Sequence, residues 1–237
     1  MYGPTSILSS AGMGPSIMPS TPLRALTYNV PSTVILLDWD DTLFPNAYLA
    51  KQRYTLDDVH EPLSTQDQIL MELLMQHVTT FLKACVDANR TVMIVTNGEA
   101  DWVERSCKRF MPAIYPLVAS FRIMSARAKY ENTYPIEEWK VACFTSELTK
   151  HFVGDMTGRQ RHIVSIGDSH YERQAVQMMP SCLPLTKSKS VKFVDYPSIP
   201  DMVRQLKLVS TYLSHLCTHP DHLDLILSRE ILRGVDI

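Results

Sequence analysis

No apolar run in the 237-residue chain approaches the ~20 residues needed to cross a bilayer, so a membrane-spanning protein is not expected. Charge of one sign is also lacking. Lys and Arg number 23 against 25 Asp and Glu, which leaves no basic footprint for nucleic acid or an anionic membrane surface. The first basic residue is Arg24, with no charged segment ahead of an apolar stretch, and so no secretory signal is expected. The five cysteines (Cys85, Cys107, Cys143, Cys182, Cys217) are odd in number, widely spaced and without a C-x-x-C. That pattern argues against a disulfide framework and for a reducing compartment: a cytoplasmic protein, with the nucleus as the alternative. His215, Cys217, His219 and His222 lie close together, but their spacing fits no common zinc pattern. They read as a helix end whose histidines are solvated or meet its last carbonyls.

What is present fits one core. Hydrophobic residues make up 45% of the chain, enough for a single domain over residues 32–237. Residues 1–31, rich in Ser, Pro, Gly and Met and without periodicity, read as a flexible leader. Ser64 and Asp67 form a capping-box pattern ahead of apolar pairs recurring every four residues from Ile69 to Val86, which predicts a long amphipathic helix. Further helices are predicted over 99–110, ended by Pro112 and Pro116, over 135–151, over 171–179, stopped by Pro180, and over 199–216. Strands are predicted at 33–37, 91–95, 117–124, 162–166 and 191–194. Their alternation with helices predicts an α/β fold, a Rossmann-like doubly wound parallel sheet of about five strands with helices on both faces.

Three of the strands end in polar residues suited to phosphate or metal. Thr33-Val34-Ile35-Leu36-Leu37 runs directly into Asp38-Trp39-Asp40-Asp41-Thr42. Residues two apart on an extended chain share a side, so Asp38 and Asp40 are expected to face one ligand while Trp39 turns away to pack. The second strand ends in Thr96-Asn97-Gly98, and the fourth in Gly167-Asp168-Ser169-His170-Tyr171-Glu172. The carboxyl ends of parallel strands are where open α/β sheets bind ligands.

This constellation resembles the haloacid dehalogenase-like superfamily, most members of which are Mg²⁺-dependent phosphatases. The D-x-D-x-T motif is met by Asp38, Asp40 and Thr42, the second by Thr96, and the acidic fourth by Asp168 and Glu172. The resemblance implies that Asp38 is a nucleophile giving an aspartyl-phosphate, and that Asp40 is the acid and then the base, its pKa raised by a neighbouring carboxylate. Mg²⁺ would be held by Asp38, the Asp40 carbonyl and Asp168. Thr96 and the backbone N–H of Asn97, at the start of a helix, would bind the phosphoryl group. Glu172 would orient metal-bound water or the lysine, and Thr42 the loop. For that lysine, Lys140 on the helix before the fourth strand is preferred to Lys129, and Arg127 is a further candidate for contact with substrate. The inserts at 44–63 and 98–136 leave no room for a full cap domain, which in this family leans toward large substrates such as phosphoproteins, a small phosphoester being the alternative.

Two other classes stay open: a catalytically silent phosphate-binding or scaffolding protein of the same fold, and a hydrolase acting on a non-phosphate substrate. Because residues 1–30 carry no apolar pattern, their deletion is expected to leave the thermal midpoint and the turnover of a small phosphoester nearly unchanged. A large loss of either, in a melting scan or a steady-state assay, would refute the leader reading.

Overall fold

The β-branched, apolar run Ser32–Leu37 forms β1, the central strand of the domain. In the computed structural model the described residues are 32–58, 60–87, 90–153 and 158–237, so the predicted leader lies outside them. After β1 come α1 (Asn46–Lys51), α2 (Thr65–Asp87), β2 (Thr91–Thr96), α3 (Trp102–Phe110), a 3₁₀ turn (Pro112–Ile114), α4 (Tyr115–Val118) and β3 (Arg122–Ser125). The chain continues through α5 (Ala126–Tyr130), α6 (Ile136–Phe152), β4 (Arg161–Gly167), α7 (His170–Cys182), β5 (Thr186–Lys192), α8 (Ile199–Thr218), β6 (Leu223–Ile226) and α9 (Arg229–Leu232). Among the described residues the sheet has six strands in the order β3-β2-β1-β4-β5-β6, every pair parallel. The chain reverses its direction of winding at β1 and β4, and their carboxyl ends flank the crevice such sheets use for ligands.

Strand alternation sends β1 side chains to two cores. Ile35 and Leu37 pack with residues of α2, α3 and α8, while Val34 and Leu36 pack with residues of α6 and α7, so helices cover both faces. By length and composition α2 could cross a bilayer. Here its stripe Met71, Leu74, Val78, Phe81, Leu82 and Cys85 is buried and the helix packs on α8. The expected cap is present: Ser64 Oγ accepts from the Asp67 N–H at 3.1 Å. Asp67 also accepts from the Tyr48 and Tyr54 hydroxyls at 2.5 and 2.8 Å, tying the insert after β1 to the start of α2. That insert contains α1.

Several boundaries move for physical reasons. The strand predicted at 117–124 is β3, shifted to Arg122–Ser125, because Pro116 starts the short α4 rather than only ending a helix. Directly after β3, α5 begins, and Ser125 caps its first turn by accepting from the Ala128 N–H at 2.9 Å. Pro180 lies inside α7 instead of stopping it. The fifth strand is Thr186–Lys192, not 191–194. Its alternating hydroxyls Thr186, Ser188 and Ser190 are buried on the α7 side, so it has no apolar signature. The sixth strand, Leu223–Ile226, is a four-residue edge with three exposed positions, too short to show a pattern. Beside it the predicted histidine-rich helix end holds, α8 stopping at Thr218. His222 Nδ1 accepts from the Ser188 N–H, and among the described residues no metal-binding group includes these histidines.

Lys189 of β5 is wholly buried, and its Nζ has no hydrogen-bond partner among the described residues. Burial pulls its pKa down from 10.5 to about 8. An unfolded lysine keeps its proton to a higher pH, so the penalty is complete below about pH 8 and is relieved as pH rises toward 10.5. Lys189→Met should therefore stabilise the protein by about 1–3 kcal/mol at pH 7. Denaturant titrations of parent and variant should show this difference narrowing by pH 10, and an equal difference at both values would refute the burial cost.

Candidate active site

Parallel pairing continues past β1, since the Asp38 N–H donates to the Ile166 carbonyl at 3.0 Å, which fixes Asp38 to β4. Asp38 is buried, and its Oδ1 accepts from Lys140 Nζ at 2.5 Å across 102 positions of sequence. Thr42, also buried, donates to Asp38 Oδ2 at 3.4 Å. Lys140 projects from α6 and donates in addition to Glu172 Oε1. The second oxygen of Glu172 accepts from the Ser169 N–H at 3.0 Å and hydroxyl at 2.6 Å, so one carboxylate both caps α7 and pairs with the lysine.

These contacts separate the lysine candidates. Lys129 pairs with Glu147 at 2.9 Å, and Arg127 with Glu131 at 2.9 Å, so both are engaged away from Asp38. Gly167 is needed for the arrangement, because a Cβ there would come within 2.5 Å of Glu172 Cγ.

Asp38, Asp168 and Glu172 bring one carboxylate oxygen each within 4.8 Å of one another. Asp40 adds no carboxylate to this group. Three carboxylates against one ammonium leave an excess of negative charge in a half-closed crevice. Burial raises the pKa of Asp168 to about 7, helped by the charges of Glu172 and Asp41. Burial likewise drives Asp38 upward against the pull of Lys140. For Glu172 the burial effect is more than offset by Lys140, and it stays below the ordinary range. Hard oxygen donors with uncompensated negative charge fit a divalent cation such as Mg²⁺.

Asp40 has a different environment. Its Oδ1 accepts from Trp102 Nε1 at 2.8 Å and its Oδ2 from Thr96 Oγ1 at 3.2 Å. Its pKa is raised by burial, opposed by these two hydrogen bonds, rather than by a neighbouring carboxylate as the sequence suggested. The Thr96 hydroxyl donates to Asp40 and accepts from the Gly98 N–H at 2.8 Å. Asn97 does not begin a helix, since α3 starts only at Trp102. Its Oδ1 is buried without a hydrogen-bond partner. Trp39 packs as expected, its ring stacked on Phe44 and its Nε1 donating to Ser106 Oγ at 2.9 Å.

Sequence reasoning missed Trp102 and Asp41. Trp102 reaches Asp40 because Gly98 has no Cβ, which would sit 2.5 Å from the indole Cδ1. No local spacing in the sequence points from Gly98 or Trp102 to Asp40, which lies 62 positions from Trp102. Asp41 has a positive φ of 52°, tolerable for Asp, and accepts from the Ala47 N–H at 2.8 Å at the start of α1. Burial lifts its pKa to about 6.

Because the indole N–H lowers the proton affinity of Asp40, Trp102→Phe should raise the Asp40 pKa further while keeping an aromatic ring in place. Carbon-detected NMR titration of the Asp40 carboxyl would check it, and an unchanged midpoint would show that the hydrogen bond carries no weight. No family model matches the chain, and neither the curated proteins nor the solved structures give a match, so function is argued from the site's own geometry.

Proposed function

We propose that the chain is a Mg²⁺-dependent phosphatase of the haloacid dehalogenase-like type, hydrolysing phosphate monoesters through an aspartyl-phosphate. The observation that carries this reading is the contact of Lys140 with Asp38 and Glu172, which joins the ends of β1 and β4 to α6 around one carboxylate. A lysine at that point suits a site that must draw in a phosphoryl dianion. The acidic Asp38-Trp39-Asp40-Asp41 turn, standing where a dinucleotide-binding fold carries glycines, argues against a pyrophosphate ligand.

Asp38 acts as nucleophile. Lys140 on one oxygen and Thr42 on the other hold the carboxylate in a fixed orientation. Attack on phosphorus forms the Asp38 acyl-phosphate bond and breaks the ester bond, so one hard displacement becomes two easier ones. Asp40, kept protonated more readily by burial, gives its proton to the leaving oxygen. It then takes a proton from the water that attacks the acyl-phosphate, which regenerates both carboxyl groups. Thr96 and Trp102 hold Asp40 between these two transfers. Mg²⁺, when bound by Asp38, Asp168 and the Asp40 carbonyl with Glu172 beside them, offsets the charge of the phosphoryl oxygens. Among the described residues no cap domain interrupts the inserts after β1 and β2, which suits a phosphoryl group carried on a large substrate such as a phosphoprotein.

The protein should hydrolyse a nitrophenyl phosphate, lose that activity to chelator and regain it with Mg²⁺. Asp38→Asn should be inactive. Asp40→Asn should turn over roughly 10²–10⁴-fold more slowly and accumulate a phospho-enzyme, seen as added mass that disappears when Asp38 is also changed. Undiminished turnover in Asp38→Asn would refute the nucleophile.

A further inference from the structure

Against Trp102 lies a groove of about 360 Å³ between α1, the chain that follows it and α3. Phe44, Leu49, Leu56, Trp102 and Phe110 contribute its apolar surface. Phe44 meets the Trp102 ring edge-on at 6.1 Å and lies 5.9 Å from Phe110; both phenylalanines are buried behind the surface, so Trp102 and Leu56 are the half-buried apolar side chains a ligand would meet. The groove is joined to the chemistry by Trp102, whose ring lines it while its Nε1 holds the Asp40 carboxylate at 2.8 Å.

The polar side chains of the wall are largely engaged already. Arg105 pairs with Glu99 at 2.6 Å and with Asp101 at 3.1 Å. The Tyr54 hydroxyl donates to Asp67 and accepts from the Ser64 N–H at 2.9 Å. A sugar, whose hydroxyls each need a partner, would have to break these bonds. A flat ring needs only the aromatic and aliphatic surface. The space is ample, since a cavity of roughly 150 Å³ admits benzene.

We propose that this groove is the leaving-group subsite and that it takes an aromatic ring, making the substrate class an aryl phosphate monoester. The proposal rests on the phosphatase reading and narrows it. The ring could belong to a free phenolic phosphate or to a phosphotyrosine side chain in a protein, and the chemistry recognised is the same.

Binding of two phosphonates that cannot be hydrolysed tests it on the full chain with Mg²⁺ present. By calorimetry, phenylphosphonate should bind at least about 10-fold more tightly than methylphosphonate, which cannot fill the groove. Ala50→Glu and Leu56→Asp each place a carboxylate in the wall and should bring the two affinities within about 3-fold of one another. Ala50 is exposed, so that variant leaves the core untouched, and its thermal midpoint checks the fold. Equal binding of the two phosphonates by the parent would overturn the subsite alone. If neither phosphonate binds and no phosphoester is turned over, the phosphatase reading falls and the subsite with it. Free O-phosphotyrosine and a phosphotyrosine peptide, compared in parallel with their phosphoserine counterparts, identify the source of the ring. Loss of the aromatic advantage in both arms counts against the proposal, and its retention in either supports it.

Discussion

The buried ammonium of Lys140 is the interaction on which the rest of the site depends. It lies between Asp38 at the end of β1 and Glu172 in the first turn of α7, and its own backbone belongs to α6. Desolvating three charged groups costs several kcal/mol for each ion, and only close pairing offsets it. Removing Lys140 would leave two buried carboxylates without their cation, at about 3–5 kcal/mol. The contact therefore fixes how α6 and α7 sit against the sheet as much as it fixes Asp38. It also means that the nucleophile candidate and the fold's second helical layer are held by the same bond.

The two aspartates of the D-x-D pair differ through what surrounds them. Asp38 faces a cation and other carboxylates, whereas Asp40 faces an indole N–H and a threonine hydroxyl. One is held by charge and the other by neutral donors in a buried setting. Burial raises the pKa of both, opposed at Asp38 chiefly by the Lys140 ammonium and at Asp40 chiefly by neutral hydrogen-bond donors. Asp67 does a comparable job at the rim: by accepting from Tyr48 and Tyr54 it fixes the insert that walls the groove.

The fold was largely legible because its central strands are buried on both faces and read as continuous apolar runs. β1, β2 and β4 all show this. β5 did not, since hydroxyls and a buried lysine occupy its core positions, and β6 did not, since an edge of four residues is hardly covered. At the site, Asp38, Asp40, Thr96 and Asp168 were visible as strand-end residues, and Lys140 came only from the family resemblance, which implies a lysine on that helix. The roles of hydrogen bonds were less legible. Trp102 and Asp40 are 62 positions apart, and nothing in local spacing brings them together. The same holds for the cause of the raised Asp40 pKa, which comes from burial by distant elements.

Glu172 stands at the boundary between a helix cap and an ion pair, and this dual role has a dynamic consequence. Helix ends fray on fast timescales, and a first turn usually opens at little cost because its loose N–H groups can turn to water. In α7 that opening would withdraw Glu172 from Lys140 and leave the lysine with Asp38 alone. Breathing of the helix and the electrostatic environment of Asp38 are thus coupled. On the proposed phosphatase reading, a phosphoryl group pairing with the lysine would compete with Glu172 for it, and ligand binding would be thermodynamically linked to the hydrogen-exchange protection of the Ser169 amide.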